Sequence, residues 1–390
     1  MIVGVPKESF PGERRVALVP LMIPNLAKAG MEILVETGAG QESGFADADY
    51  AAKGAKIAPD RAAVFAAADI IVQVLCYGSN DRTGKADLPL YRKGQLLIGF
   101  LRPLGDVTTV SDIAKAGVTA LSIELMPRTT RAQSMDALSS MATLCGYKAV
   151  LISADILPRM LPMLTTAAGT ITPARVLVIG AGVAGLQAIA TARRLGAVTS
   201  AYDLRPAAKE QVESLGGRFV ELPIEAKDAE DARGYARAQD DTFYQKQREL
   251  LGRVVAESDV VITAAVVPGK KSPVLVTKEM VERMAAGSVI VDLAAERGGN
   301  CELTQPGEKI VVHGVTIVGW FNMASSLPHH ASQLYARNIS AFLAHLVKQG
   351  KLQLNLEDEI IRETLLTRDG EIVNKRVREF FKLPAPAEAK

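Results

Sequence analysis

The residues Gly180-Ala181-Gly182-Val183-Ala184-Gly185 have the glycine spacing of a phosphate-binding turn. In such a turn the first glycine permits a tight bend, the second lets the backbone approach a pyrophosphate, and the third lets a helix pack closely on a strand. The helix that begins there directs N–H groups and partial positive charge at the phosphates. An apolar strand candidate precedes the glycines and an apolar helix candidate follows them. This context predicts a dinucleotide site rather than a packing turn.

Asp203 ends the next strand candidate, where an acidic residue is expected to bind the adenosine ribose. A carboxylate there accepts a hydrogen bond from the 2′-hydroxyl and repels a 2′-phosphate, which favours NAD over NADP. Arg205 is the opposing feature, because a nearby arginine can accommodate a 2′-phosphate. Its side chain could instead lie over the adenine. We predict NAD(H) as the cofactor.

A second group of polar residues lies in the segment ELMPRTTRAQSMDALSS. Gln133, Asp136 and Ser139 are spaced so that they would share one face of a helix. Arg128 lies just upstream, and such a set could hold a nicotinamide carboxamide and its ribose. Two alternatives stay open, because Thr130-x-x-Gln133 is also a capping box and polar stripes commonly face solvent.

The elements that would position these residues form two series of short apolar runs alternating with helical stretches. The runs are rich in Val, Ile and Leu without clean alternation, which is typical of parallel sheets covered on both faces. We predict an α/β fold with two Rossmann-like, doubly wound parallel-sheet domains and a cleft between them. The predicted strands are 2–5, 32–35, 69–74, 96–101 and 118–123, then 175–179, 198–203, 218–222, 259–264, 288–293 and 315–319.

The order of these elements also predicts the domain boundaries. Arg368-Asp369-Gly370 is a turn signal between apolar runs near the C-terminus, and this region is expected to return to the first domain. The predicted divisions are a discontinuous first α/β domain (1–135 with 325–380), an NAD(H)-binding Rossmann domain (145–322), connecting helices (136–156 and 323–348) and a disordered tail (381–390).

Composition argues against several classes of function. The net charge is +2 and the basic residues are scattered, which argues against nucleic-acid binding. Cys76, Cys145 and Cys301 form no CxxC pair or disulfide framework, which fits a reducing compartment. No cysteine and histidine have ligand spacing, so we predict no metal site. The nearest approach to a membrane span, 176–192, is better explained as strand, turn and helix.

Longer stretches of the chain resemble one family. PKE…GERRVALVP, ELMPR…RAQSMDALSS, TTAAGTITPARVLVIGAGVAGLQAIATARRLGA, KEQVESLGGRFV and VIVDLAAERGGNCELT are similar to the NAD(H)-binding component of proton-translocating NAD(P)⁺ transhydrogenases. The resemblance implies that Arg128, Gln133 and Asp136 are catalytic residues at the nicotinamide, with Ser139 beside them. Further implied cofactor contacts are the turn residues Gly180, Ala181, Gly182 and Gly185, Val183 at the pyrophosphate, Asp203, Leu204 and Arg205 at the adenosine, Gly234 and Tyr235 in a loop that closes over the nucleotide, Gln247 and Val266.

The same resemblance implies the partners. The expected assembly is a homodimer on the cytoplasmic face of a cell membrane, attached through other subunits. A membrane-embedded proton-channel subunit would translocate protons, and a separate component would bind NADP(H). Hydride would then pass directly between the two nicotinamides.

Two other functions stay open. Alanine dehydrogenases share the fold, and the resemblance to them implies a lysine and a histidine where this chain has Gln73 and Arg102. Gln73 is not a cation and Arg102 titrates too high to shuttle protons, although Arg15, which matches a substrate-binding arginine, remains. Hydride transfer between nicotinamides needs no proton donor, which favours the transhydrogenase interpretation. The second alternative is a non-catalytic NAD sensor on the same fold.

Overall fold

The computed structural model describes residues 1–221, 241–267 and 269–384. The chain divides into two compact units, a first unit of Met1–Met141 with Ser325–Lys390 and a second unit of Ala142–Ala324. Each unit has its own sheet and its own buried apolar core. The predicted α/β fold class is confirmed.

Most strands belong to these two sheets and the rest form two short hairpins. In chain order the strands are β1 (Ile2–Val5), β2 (Glu32–Glu36), β3 (Lys56–Ala58), β4 (Ile70–Leu75), β5 (Leu96–Phe100), β6 (Thr119–Ser122), β7 (Leu164–Thr166), β8 (Gly169–Ile171), β9 (Arg175–Ile179), β10 (Val198–Tyr202), β11 (Arg218–Phe219), β12 (Val260–Thr263), β13 (Val289–Asp292), β14 (Lys309–Val312), β15 (Val315–Val318), β16 (Val347–Lys348), β17 (Lys351–Leu352), β18 (Leu365–Arg368) and β19 (Glu371–Ile372).

Helices lie between most of the strands. The α-helices are α1 (Ile23–Lys28), α2 (Asp47–Ala52), α3 (Arg61–Ala67), α4 (Val107–Lys115), α5 (Ala137–Ile156), α6 (Val183–Arg194), α7 (Ala208–Ser214), α8 (Asp241–Ala256), α9 (Lys278–Glu282), α10 (Pro328–Leu346), α11 (Glu359–Thr364) and α12 (Lys375–Phe380). Short 3-10 turns cover Pro20–Met22, Gln41–Ser43, Gly84–Leu90, Ile123–Leu125, Thr130–Met135, Ala295–Arg297 and Met323–Ser326.

The first unit contains an eight-stranded sheet in the order β19-β18-β6-β5-β4-β1-β2-β3. Strands β1 to β6 are parallel, as the apolar runs predicted for all of them except β3, and β18 and β19 add an antiparallel hairpin at one edge. The hairpin turns at the predicted signal. Asp369 and Gly370 have φ of 52° and 85°, the left-handed values that a tight hairpin turn requires.

The second unit contains a seven-stranded sheet in the order β11-β10-β9-β12-β13-β15-β14. Its neighbouring strands are parallel except for the pair β14 and β15 at one edge. From β9 the chain runs outward to β10 and β11 and then returns to β12 on the other side of β9. Strands β9 and β12 therefore flank the topological switch point, where open α/β sheets bind ligands beyond their carboxyl ends.

α5 is a 20-residue helix of largely apolar composition. Among the described residues it alone has the length and apolarity to cross a membrane, although core helices meet the same criterion. The sequence instead singled out 176–192, which forms strand, turn and helix. Val150 and Ile152 of α5 join the core of the second unit. A Cβ on Gly146 would come within 2.0 Å of the Ala184 carbonyl oxygen, so α5 packs tightly on the start of α6.

Several boundaries differ from the sequence prediction. The tail predicted from residue 381 is wrong at its start, because Phe381 and Leu383 pack against the first-unit core. Residues 385–390 lie outside the described chain. The helix predicted through residue 348 ends at Leu346, where the short strand β16 begins. The unpredicted strands β3, β7, β8, β14, β16 and β17 are short and include edge strands, so they lack the long two-sided apolar run that marks a central strand.

Candidate functional site

The turn after β9 has the geometry that the glycine spacing predicted. Gly180 has φ of 99°, a left-handed value that glycine adopts without steric cost. Its N–H donates to the Tyr202 carbonyl oxygen at 2.8 Å and so extends the pairing with β10. A Cβ on Gly180 would lie 2.9 Å from the Ala264 carbonyl carbon, so the turn meets the segment after β12 through bare backbone.

The other two glycines differ in role, because Gly185 allows close packing whereas Gly182 leaves open backbone. A Cβ on Gly185 would lie 1.9 Å from the Gly180 carbonyl oxygen, so α6 can pack on the turn only with glycine there. Around Gly182, no atom of the described residues lies within 4 Å of the corresponding Cβ position. Gly182 is the N-cap residue of α6, and no side chain there caps the helix. The turn thus presents open backbone at a helix N-terminus, which fits a pyrophosphate.

Asp203 follows β10, and its carboxylate is bonded on both oxygens. Oδ2 accepts a hydrogen bond from the Ala181 N–H at 2.7 Å, and Oδ1 accepts one from the Arg205 N–H at 2.8 Å. The Arg205 guanidinium donates to Oδ1 at 2.9 Å and to Oδ2 at 3.0 Å. Asp203 is therefore fixed to the turn after β9. Arg205 bonds the same carboxylate that was predicted to accept from the ribose hydroxyls.

The other predicted cofactor contacts in the second unit lie near the same strand ends. Gln247 on α8 is buried, and its Nε2 donates to the Tyr202 hydroxyl at 2.8 Å. Among the described residues its Oε1 has no hydrogen-bond partner, so this acceptor lies unpaired beside Tyr202, the residue before Asp203. Gly234 and Tyr235 lie outside the described residues. Half-buried positions are occupied by Val183, Leu204 and Val266.

The segment around Gln133 is not one continuous helix, so the predicted helical stripe is wrong. A 3-10 turn covers Thr130–Met135, and Asp136 interrupts it with φ of −78° and ψ of 87° before α5 begins. Asp136 instead caps α5, because Oδ1 accepts from the Ser139 N–H at 3.0 Å and Oδ2 from the Ser139 hydroxyl at 2.6 Å. Asp136 and Ser139 form one hydrogen-bonded pair at the helix start.

Exposure separates the four residues of this segment that were predicted to contact the nicotinamide. Arg128 and Gln133 are exposed, whereas Asp136 and Ser139 are half-buried. The alternative capping box does not form, because the N-cap of the 3-10 turn is Thr129 and no side chain caps it. Helix capping therefore does not account for Gln133.

Asn338 on α10 holds this segment, and the sequence did not single it out. Its Nδ2 donates to the Ser134 carbonyl oxygen at 2.8 Å, and the residue is 7% exposed. Arg131 of the same 3-10 turn pairs with Asp358, which caps α11. The two contacting residues Asn338 and Ser134 are 204 positions apart, so no local pattern could reveal the contact.

Two positions bear on the alanine dehydrogenase alternative. Gln73 on β4 is buried, and its Nε2 donates to Asp87 at 3.2 Å. Arg102 has an exposed side chain, while its backbone N–H donates to Glu124 at 2.6 Å. Neither an amide nor an arginine exchanges protons near neutral pH, so this end of the sheet lacks a general acid or base at both positions.

Buried carboxylates also lie at the carboxyl ends of β1 and β4. Glu13 accepts two hydrogen bonds from the buried Arg15 guanidinium, at 2.8 and 2.5 Å. Glu8 accepts the Val74 and Leu75 N–H groups at 2.6 and 3.0 Å, beside an irregularity in the pairing of β4 with β5. Burial, followed by the negative charge of Glu13, raises the pKa of Glu8 to about 8.

Metal and thiol chemistry find little support among the described residues. In residues 1–221, 241–267 and 269–384, no three His, Cys, Asp or Glu side chains are grouped so that they could hold a metal ion. Cys76 and Cys301 are buried free thiols. Burial raises the pKa of Cys301 to about 11, which disfavours the thiolate.

Comparison with known proteins gives matches over nearly the whole chain. The family model described as alanine dehydrogenase/PNT, N-terminal domain, matches residues 4–145, and the model for the C-terminal domain matches residues 149–375. An NAD(P) transhydrogenase subunit alpha chain of Rhodospirillum rubrum is 47% identical over 377 residues, which cover 96% of this chain and 98% of that one.

Solved structures agree with these sequence matches. A transhydrogenase from Sinorhizobium meliloti has a TM-score of 0.83 at 42% identity, covering 96% of this chain and 100% of that one. An L-alanine dehydrogenase has a TM-score of 0.80 at 27% identity, covering 98% and 99%. The folds are similarly close, but identity is higher to the two transhydrogenase chains.

Proposed function

This chain belongs to the alanine dehydrogenase/PNT family, and we propose that it is the NAD(H)-binding subunit of a proton-translocating NAD(P)⁺ transhydrogenase. Bound NAD(H) supplies or accepts a hydride, exchanged directly with NADP(H) on a partner component. A separate membrane-embedded subunit translocates protons, and this chain lies on the cytoplasmic face through its partners. The 47% identity to a transhydrogenase alpha subunit supports this branch of the family.

The turn after β9 carries the proposal. Gly182 leaves backbone open at the start of α6, and Asp203 is fixed beside it through Ala181. These features suit the pyrophosphate and the adenosine ribose of one dinucleotide. The amide at Gln73 and the guanidinium at Arg102 favour direct hydride transfer over alanine dehydrogenase chemistry, which needs a proton donor.

We assign the remaining roles as follows. Asp203 accepts from the ribose hydroxyls, in competition with Arg205. Arg128 and Gln133 hold the nicotinamide end, and Asp136 adds an acceptor fixed by Ser139. Their task is to align the ring and exclude water, because hydride transfer depends on close approach. Gly234 and Tyr235 would cover the bound nucleotide, and Gln247 and Val266 would complete its contacts.

The test uses the purified full chain with NADH. We expect saturable NADH binding, followed by cofactor fluorescence, and no NADH oxidation with pyruvate and ammonium. Adding the purified NADP(H)-binding component of a transhydrogenase and NADP⁺ should start hydride transfer. Steady oxidation with pyruvate would instead indicate an alanine dehydrogenase. Binding without any transfer to NADP⁺ would favour an NAD sensor.

The homodimer in this proposal has one supporting observation. Among the described strands, β7 and β8 pair with each other and with no third strand, and all their residues are exposed in the isolated chain. Met163, just before β7, and Ile171, at the end of β8, are 65% and 48% exposed, and a lone two-stranded hairpin is at best marginally stable in water. We expect a dimeric mass by light scattering, reduced to monomer in Met163→Asp/Ile171→Asp but retained in the exposed-site control Val311→Asp.

A further inference from the structure

A buried hydrogen-bond network surrounds Asp292, at the end of β13. The residue is fully buried, and its carboxylate accepts hydrogen bonds from both backbone and side chains. A buried carboxylate with this many donors fixes the backbone that supplies them. The donors are Thr263 Oγ1 at 2.9 Å, Ala294 N at 3.0 Å, Asn300 N at 2.8 Å, Cys301 N at 3.0 Å and Thr304 Oγ1 at 2.7 Å.

The network fixes the backbone of Asn300. The side-chain amide of Asn300 makes its hydrogen bonds to backbone groups of nearby segments. Its Oδ1 accepts the Ala265 N–H at 3.0 Å, and its Nδ2 donates to the Ala265 and Pro273 carbonyl oxygens at 2.9 and 2.8 Å. Because the amide meets one N–H group and two carbonyl groups, only one orientation satisfies all three. Asn300 is fully buried, so these bonds do not compete with bulk water.

Ala265 belongs to residues 264–267, the lip segment, which follows β12. Strands β9 and β12 flank the switch point of the sheet, so the lip segment lies across that point from the phosphate-binding turn. The two are in close contact, since a Cβ on Gly180 would lie 2.9 Å from the Ala264 carbonyl carbon and 3.0 Å from the Ala265 nitrogen. A shift of the lip segment would therefore change the opening on the β12 side of the turn.

We propose that Asn300 is a positioning residue that sets the lip segment for a ligand spanning the switch point. It acts through Ala265 on Val266, the next residue along the segment. The inference rests on the proposed function, in which NAD(H) extends from Asp203, beyond β10, past the turn to the side of β12. A mononucleotide that reaches only Asp203 and the turn does not need the lip segment.

The experiment compares two ligands on the full chain. Asn300→Ala and the milder Asn300→Ser are titrated with NADH and, in competition, with 5′-AMP. Hydride transfer is then measured at saturating NADH with the NADP(H)-binding component. Asn374→Ala is the matched control, because Asn374 is also buried and its amide also bonds three backbone groups, the Glu363 and Leu365 carbonyls and the Val377 N–H. Thermal unfolding is recorded for every variant.

For Asn300→Ala we expect NADH affinity to fall about tenfold and transfer at saturation to fall at least as much. The 5′-AMP affinity should stay within about twofold, and Asn300→Ser should be intermediate. Asn374→Ala should lose thermal stability without changing the affinity for NADH or for 5′-AMP. Equal losses of NADH affinity and 5′-AMP affinity in Asn300→Ala would overturn the proposal. Unchanged affinity for both ligands together with an unchanged rate of hydride transfer would overturn it as well. If the wild-type chain transfers no hydride, the proposed function fails, whereas the NADH and 5′-AMP titrations still decide the role of Asn300.

Discussion

Asp203 shapes the turn and also carries the charge that would discriminate between cofactors. Its Oδ2 accepts the Ala181 N–H, so truncation loosens the turn, whereas an amide removes the charge and keeps one acceptor that can still bond Ala181. The other oxygen, which accepts from Arg205, becomes an NH2 group. We expect Asp203→Ala to weaken NADH binding about tenfold, or about 1.4 kcal/mol. Both Asp203→Ala and Asp203→Asn should narrow the preference for NADH over NADPH. Fluorescence titration with both cofactors measures this preference. An unchanged preference in Asp203→Asn would show that Asp203 does not bind the adenosine ribose.

Gln133 and Asp136 test the nicotinamide end. Asparagine is about as good an N-cap as aspartate, so Asp136→Asn should preserve the start of α5. We expect Gln133→Asn and Asp136→Asn each to slow hydride transfer at least about tenfold while changing NADH affinity much less, because they act on alignment. Stopped-flow transfer and equilibrium titration separate the two effects. Parallel losses in both would contradict an orienting role.

At the scale of elements, the glycine turn after β9 offers a matched pair of substitutions that test its proposed contact with the pyrophosphate. A Cβ on Gly182 meets nothing within 4 Å in the part of the chain that the structure describes, so Gly182→Ala should fold with a stability change within about 1 kcal/mol. We expect it to lose NADH affinity strongly, because the methyl group occupies the space that a pyrophosphate would approach. Gly185→Ala places a Cβ 1.9 Å from the Gly180 carbonyl oxygen and should lose thermal stability as well. Unaltered NADH binding in Gly182→Ala would show that the turn does not hold the pyrophosphate.

The elements that the sequence predicted well are those with strong local signals. Strands β1 and β9 have the predicted bounds, and the glycine turn after β9 has the predicted tight bend, because both depend on neighbouring residues. The break before α5 was missed, since Asp136 uses its carboxylate to cap a new helix rather than to continue one. Asn300 and Asn338 were missed because each bonds backbone far along the chain. Local residue spacing does not predict such long-range contacts.

At the scale of the whole molecule, Glu8 connects the charge state of one carboxyl group to the stability of the first unit. Its pKa of about 8 in the folded chain lies above the ordinary value of 4.5, chiefly because the group is buried. Between these values the folded chain retains a proton that the unfolded chain releases. The contribution of Glu8 to stability is therefore complete below pH 4.5 and is lost as the pH rises through about 8.

Glu8→Gln isolates this contribution, because the amide cannot ionise. It keeps only one acceptor for the Val74 and Leu75 N–H groups, a cost that does not depend on pH. The melting temperature of Glu8→Gln relative to the wild type should therefore rise steadily from pH 5 to pH 9. The corresponding free energy reaches a few kcal/mol at most, since one pKa unit is about 1.4 kcal/mol. Calorimetry across this range measures it, with Glu42→Gln, whose side chain is 55% exposed, as the control for removing one charge. A difference between Glu8→Gln and wild type that stays flat from pH 5 to pH 9 would mean that Glu8 is already ionised in the folded chain, held by its two backbone donors against the effect of burial.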